Sequence, residues 1–392
     1  MRVFLEIAGT GLVSLLLHPQ RSAVTVICLL VVLVPYLTGL GVSQGMQAEA
    51  ELSIEAGADL YVSGEQLGRA AAIPFEMVSD IRAIEGVQHV SPRIVGNVTL
   101  GRNNEHAVVV GIPAERFPES VNCIEGRLFS PHSVGELVVG SELARRLKLK
   151  PGDLLPPFYH SRHGDRISQV VGLFRSDASL WQSHVILTSL ETAAEVFDQV
   201  GQATDLLVDC RDGYDASVRK QILRIVPEHS AIRYRVVGRD ELAAVLPRGL
   251  LHREGIFNLH FLLAFVAGGL VVLVTSGFGL SERRREIGIL KALGWQTDEI
   301  LLRSLVESFL LSLLGAALSI VLAFVWLRGL NGVFVASIFL AEVDAYPGFP
   351  IPFQLTAMPA ILAFIFSFVM VMTGTLYSTW RAAIVSPSRA MR

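Results

Sequence analysis

Hydrophobic and polar positions follow two different rules along this chain. Four stretches are apolar on every side, whereas the long segment between the first and the second alternates. Ser22 to Ala48 is a run of 27 residues without a charge, bounded by Arg21. About 20 apolar residues suffice to cross a bilayer as a helix. A first span is therefore expected over 21–48, with a kink at Pro35, where the ring removes a helical hydrogen bond. Ala48-Glu49-Ala50 resembles a small-residue cleavage site, but the apolar run far exceeds the roughly 7–15 residues of a signal-peptide core, which favours a retained anchor. Gly255 to Ser281 carries no Asp, Glu, Lys or Arg and is read as the second span over 255–281. A third span is expected over 303–328 and a fourth over 357–379, beyond Pro347, Pro350 and Pro352. Residues 1–20, with Phe4, Leu5, Leu12, Leu15 and Leu16, predict an amphipathic interfacial elbow before the first span.

Between 49 and 254 the period changes. Alternation predicts strands at Asp59 to Val62, His106 to Val110, Glu136 to Val139, Gln169 to Phe174, His184 to Leu187 and Asp205 to Asp209. Helical spacing predicts helices at Pro74 to Ala83, Ser141 to Leu147, Ser189 to Val200 and Ala216 to Ile225. Turn residues such as Lys150-Pro151-Gly152-Asp153 separate them. About 200 residues is enough for one large or two small units with cores of their own. The expected fold class is a membrane protein with four transmembrane α-helices and a large extracytoplasmic α+β domain between helices 1 and 2.

Composition agrees with this mixed picture: 51% of residues are hydrophobic and only 18% charged, below the typical quarter for soluble domains. Charge then sets orientation. Arg2, Arg21, Arg283, Arg284, Arg285, Lys291, Arg303, Arg381, Arg389 and Arg392 flank the spans on one side, while 329–356 has no Lys or Arg and carries Glu342 and Asp344. Basic residues mark the cytoplasmic side, so both termini, the loop 282–302 and the tail 380–392 are expected there. No basic run is long enough for a nucleic-acid site, and only four of the 33 basic residues are Lys. Cys123 and Cys210 both fall in the extracytoplasmic region, where a disulfide or two unpaired thiols are equally compatible with the sequence.

The most informative stretch is Ser281-Glu-Arg-Arg-Arg-Glu-Ile-Gly-Ile-Leu-Lys-Ala-Leu-Gly-Trp295. A dense charge cluster pinned between two spans runs into an amphipathic helix marked by Ile287, Leu290, Leu293 and Ile300. A plain cytoplasmic loop needs basic residues but no such apolar pattern, so a docking helix is the better reading. Other chemistry is weaker. Glu307 is either an intramembrane functional acid or a partner of Arg303 or of the basic tail. Tyr159-His-Ser-Arg-His-Gly-Asp165 carries two His and an Asp, but on a Gly-containing loop that pattern reads as solvated rather than metal-binding. His260 reads as an interfacial histidine. Ala264, Gly268, Gly315 and Ser319 permit close helix packing, within or between subunits. Phe334, Ile338, Phe339 and Leu340 make the loop 329–356 apolar, suited to a lipid-like substrate or to lying in the interface.

Several of these features together resemble the FtsX/MacB-like (type VII, mechanotransmission) family of ABC transporter permeases. The resemblance is carried by the order of one span, a large domain and three spans; by Arg285-Glu-Ile-Gly-Ile-Leu-Lys-Ala-Leu-Gly294; by Glu307 followed by Leu310 to Gly315; and by the tail Trp380 to Arg392. Ile84-Glu-Gly-Val87, Val90-Ser-Pro92, Glu125-Gly-Arg127 and Leu147 to Asp153 are similar to the family's MacB-like core domain. Unlike MacB, the sequence has no Gly-Lys pair and hence no phosphate loop. The resemblance implies a permease dimer, homo- or heteromeric, in a bacterial inner membrane, acting with a separate dimeric ABC ATPase that holds ATP and Mg, with no catalytic residue, cofactor or metal in this chain. It also admits a periplasmic adaptor or outer-membrane component. Coupling would fall to Arg284, Arg285, Glu286, Ile287, Gly288, Leu290, Lys291, Leu293, Gly294 and Trp295. Ile287, Leu290 and Leu293 would fill a groove on the ATPase, with Arg284, Arg285, Glu286 and Lys291 supplying rim charge pairs. The expected activity is export or extraction of a substrate from the periplasm or outer leaflet; the alternative is an FtsX-like signal transducer acting on a cell-wall hydrolase. A membrane-anchored enzyme lacks a credible active site.

Overall fold

A computed structural model of the chain describes residues 13, 19–55, 57–100, 105–118, 120–155, 158, 160–161, 164–165, 167–225, 232–278, 280–339, 347 and 349–384. The predicted elbow over 1–20 therefore lies almost wholly outside the described residues. Two compact units divide the chain: a helical unit of Met1–Gly45, Leu250–Pro347 and Phe353–Arg392, and a sheet unit of Met46–Gly249 and Gly348–Pro352.

The sheet unit is built on nine main strands: β1 (Leu60–Gln66), β2 (Val87–Leu100), β3 (Glu105–Ile112), β4 (Val121–Gly126), β5 (Glu136–Gly140), β6 (Ser168–Ser176), β7 (Val185–Ser189), β8 (Asp205–Cys210) and β9 (Arg233–Gly238). Their order across the sheet is β9-β1-β8-β2-β3-β7-β5-β6-β4. The β7/β3 and β6/β5 pairs are parallel and the remaining neighbours antiparallel. Six of these strands sit where alternation predicts them. β2, β4 and β9 escaped that reading. β2 contains Pro92, Gly96 and Asn97, residues depleted in strands, yet its length serves a purpose. Its first half pairs with β8, Val87 through Arg93 opposite Cys210 through Asp205, and its second half pairs with β3, Ile94 through Leu100 opposite Gly111 through Glu105.

One strand thus joins two lobes. In the first, β1, β8, β9 and the start of β2 pack against helices α2 (Glu76–Arg82) and α6 (Asp215–Ile225) around Val62, Ile73, Ile81, Leu206, Val208, Val218 and Ile222, all fully buried. In the second, α3 (Ser141–Leu147), α4 (Ser179–His184) and α5 (Leu190–Val196) join the remaining strands. Here β5 is buried on both faces: Leu137 and Val139 enter one core with Val109, Leu143 and Ile186, while Val138 enters another with Phe129, Phe174 and Leu187. Strand side chains alternate between faces, so a run of Leu-Val-Val needs cover on both sides.

The helical unit holds the apolar parts of four helices long and apolar enough to span a membrane, the first two of which run on into residues of the sheet unit. They are α1 (Pro19–Glu55), which runs on through Pro35; α7 (Arg239–Phe278); α9 (Thr297–Leu330); and α11 (Ala357–Ile384). Between them lie α8 (Leu280–Ala292) and the single turn α10 (Ala336–Phe339). Leu29, Val32 and Leu33 of α1 pack with Val272 of α7, Leu311 of α9 and Met370 and Val371 of α11. Tyr36 stacks on Phe261 with ring centroids 3.7 Å apart. Two of the small residues pack inside the chain, Gly268 against Val32 and Met370 and Gly315 against Leu29 and Ser367, whereas Ala264 is exposed.

Candidate functional site

The docking segment forms an elbow between α8 and α9. Its turn follows from Gly294, at φ 95°, a backbone region that side chains disfavour. The Gly294 N–H donates to the Lys291 carbonyl (3.0 Å) and the Trp295 N–H to the Leu290 carbonyl (3.1 Å), the paired bonds that close a helix on a glycine. Two residues later α9 begins, with the Glu299 carboxylate accepting from the Gln296 N–H at 2.9 Å, half of a capping box. Across the elbow Ile287 packs on Ile300, flanked by the partly buried Leu290 and Trp295. Arg303 clamps the two helices together by donating to Glu286 at 2.6 Å.

This geometry redistributes the roles expected of the segment. Ile287 is 4% exposed, packed on Ile300 of its own chain, and Leu290 is partly buried beside it. Leu293 is 73% exposed, and Ile289, which helical spacing alone did not single out, is 49% exposed. The outward apolar pair is therefore Ile289 and Leu293, at i and i+4 on one face. Glu286 is engaged internally with Arg303 rather than left for a rim pair; Arg285 is exposed, Lys291 half-buried and Gly288 buried. Arg284 lies on the same helix, its side chain outside the described set. Glu307 is half-buried on α9, one turn beyond Arg303.

Elsewhere the candidates thin out. Among the described residues no group of three His, Cys, Asp or Glu side chains comes together as a metal site; of Tyr159 to Asp165 only the backbone of 160–161 and 164–165 is described, as two short paired strands. His260 is exposed, its Nδ1 2.8 Å from the Ile256 carbonyl. Cys28, Cys123 and Cys210 are all free. Cys123 sits on the edge strand β4 and Cys210 on β8, six strands away; at about 4.8 Å per strand that separation excludes a disulfide. In the loop after α9, Phe334 and Ile338 are 58% and 42% exposed, Phe339 is buried edge-on to Phe257, and Leu340 lies outside the described residues.

Four apolar helices with a mixed α/β domain inserted after the first define a multi-pass membrane protein. The chain belongs to the family of ABC transporter permeases built from a MacB-like periplasmic core domain, whose model matches residues 22–225, and an FtsX-like permease C-terminal region, matching 258–387. It is 24% identical to an uncharacterized ABC transporter permease of Methanocaldococcus jannaschii over 62% of this chain and 63% of that one. It is 23% identical to the uncharacterized ABC transporter permease YknZ of Bacillus subtilis, covering 81% of this chain and 84% of that one. It is 26% identical to the macrolide export ATP-binding/permease protein MacB of Escherichia coli, covering 78% of this chain and 46% of that one. Of three of the curated relatives it matches, the chain spans 63%, 52% and 37% of their length. Among solved structures, the periplasmic region of MacB from Actinobacillus actinomycetemcomitans superimposes with a TM-score of 0.38 at 16% identity, covering 50% of this chain and 95% of that one.

Proposed function

We propose that this permease couples ATP hydrolysis on a separate ABC ATPase to movement of its MacB-like domain, in a bacterial inner membrane with both termini cytoplasmic, and that this movement exports or extracts a substrate from the periplasm or outer leaflet. The observation that carries the reading is the α8–α9 elbow. A loop that merely joined two spans would not need a glycine-closed helix end, a capped helix start, a buried Ile287–Ile300 contact and an ion pair across the bend. Together these fix the elbow's shape while leaving Ile289 and Leu293 outward. A stiff support beneath an exposed apolar pair suits a surface that must be pushed and must push back. Arg285 beside the pair supplies the polar rim such contacts use.

The test is copurification of an ABC ATPase with the full chain. Leu293→Asp should weaken capture by about 30-fold or more, the size expected for an apolar interface anchor worth about 2 kcal/mol, without lowering the yield of folded permease. Undiminished capture by both Leu293→Asp and Ile289→Asp would sink the coupling role of this face. A wild-type chain that captures an ATPase but instead activates a cell-wall hydrolase would favour signalling over export.

A further inference from the structure

The short helix α4, Ser179–His184, is gripped at both ends by chain segments far away in sequence, and both grips lie within the sheet unit. At its start, Ala178 offers no side-chain acceptor to the first amides. Glu49 takes that part instead: its carboxylate accepts from the Ser179 N–H at 3.0 Å, from the Leu180 N–H at 3.4 Å and from the Ser179 hydroxyl. Glu49 lies on α1, the helix that contains the first span. At the other end, the Phe349 ring stands edge-on to His184, with centroids 4.6 Å apart and planes at 89°. The Arg146 guanidinium covers the same ring at 5.3 Å, while pairing with Glu105 at 2.8 Å and donating to the Ser183 carbonyl. Phe349 is 2% exposed and Ile351 5%. Both belong to the stretch of chain between the third and fourth spans.

α4 is in turn seated in its lobe. Trp181 packs into the core around Phe174 and Val138. Gly140, at the end of β5, leaves room for the α4 backbone, since a Cβ there would collide with the Gln182 carbonyl. From α4 the chain enters β7 directly, at the centre of the mixed half-sheet.

We infer that α4 is the point at which movement of the spans enters the MacB-like domain, with Glu49 and Phe349 as the two positioning residues that deliver it. The inference rests on the coupling role proposed above for the elbow. A displacement of α1 along its axis pulls on the Ser179 and Leu180 amides; a displacement of the third and fourth spans pulls on Phe349 and, through it, on His184 and Arg146. Two inputs meeting on one short helix make its response sensitive to their difference.

Hydrogen exchange on the full chain tests this in two stages. In the permease alone, Glu49→Ala and Phe349→Ala should each speed exchange across residues 178–185 by about tenfold, the factor for about 1.4 kcal/mol of lost local stability, with β1 exchange unchanged as the check on folding. Unaltered exchange in both variants would mean that neither residue holds α4. If either variant also loosens β1, Glu49→Gln and Phe349→Leu replace them. In the second stage the permease is studied with its copurified ATPase, nucleotide-free and trapped with ATP and vanadate. The expected result is a change at α8 and at α4 in the wild type, with the α4 change lost and the α8 change kept in the double variant. If α8 responds and α4 does not, or if α4 responds equally in the double variant, this inference fails while the coupling reading stands. If α8 itself does not respond, the coupling reading fails first.

Discussion

The two units differ in what ties their elements together and in what their outer faces carry. In the sheet unit the largest buried side chains are apolar, with Phe174, Ile81, Ile94, Leu137 and Leu143 under 2% exposed beside a few buried hydroxyls such as Thr188 and Thr192, and charges pair at the margins. Arg93 grips Asp205 through two hydrogen bonds of 2.9 and 2.7 Å, and Arg116 meets Asp209 at 2.9 Å. In the helical unit the hydroxyls are inside. Ser304 lies 3.1 Å from Thr379 and Ser308 2.7 Å from Thr375, while Ser367 donates to the Ser312 carbonyl at 3.0 Å, all between α9 and α11. One face of α7 points outward: Leu259, Leu262, Leu263, Val266 and Leu270 are all more than half exposed. The difference is one of solvent. Water drives apolar area inward, whereas lipid is as apolar as leucine and leaves close packing and hydrogen bonds to hold helices together.

Substitutions can break that contrast in order of expected size. Phe174→Ala should cost about 3–5 kcal/mol as a large buried cavity, whereas Leu263→Ala, on the outward face of α7, should stay within about 0.5 kcal/mol; thermal unfolding of the detergent-solubilised chain, followed by near-UV dichroism, checks both. Equal losses would mean that α7 is covered by protein rather than lipid. Gly315→Leu should cost about 1–3 kcal/mol by overpacking, because a Cβ there already comes within 2.5 Å of Leu29. The third effect appears only in acid. Arg127, with the Ser130 amide, holds the Glu136 carboxyl at about 2, below its ordinary 4.5. Its folded value is depressed, so the stabilisation is complete above about 4.5 and is lost as pH falls through about 2. Glu136→Gln should flatten that part of a stability–pH curve. The smallest effect belongs to the hydroxyl pairs: a double-mutant cycle of Ser308→Ala and Thr375→Val should give a coupling of about 0.6 kcal/mol. A value near zero would leave shape, rather than hydrogen bonding, as the bond between α9 and α11.

What was legible in the sequence divides along the same line. The four spans announce themselves because a helix in lipid needs about 20 predominantly apolar residues in a row, and strands such as Glu136–Gly140 because β-branched residues cluster there. β2 was hidden because its Pro, Gly and Asn are tolerated by partners that no local pattern names. In the elbow, charge density and amphipathic spacing mark a helical segment, but not which of its apolar residues face out. Ile287, Ile289, Leu290 and Leu293 are alike by composition. Only Ile300, thirteen residues beyond Ile287, decides that Ile287 turns inward. The tethers on α4 were invisible for the same reason: Glu49 lies 130 residues from Ser179, and nothing near either one signals the other.

The placement of β1 between β8 and β9 has a consequence for biogenesis. Leu60–Gln66 can form no sheet with its long partners until Asp205–Cys210 and Arg233–Gly238 have been made. At ribosomal speeds of roughly 5–20 residues per second, that is a wait on the order of ten seconds. The other lobe has no such delay, since its pairings all fall between Ile94 and Ser189. Its strands can close while the first waits as an unpaired edge, the kind of surface that invites wrong partners. In stalled nascent chains, then, protease resistance should arise first around β3, β5 and β7, and reach β1 only after Gly238 has emerged.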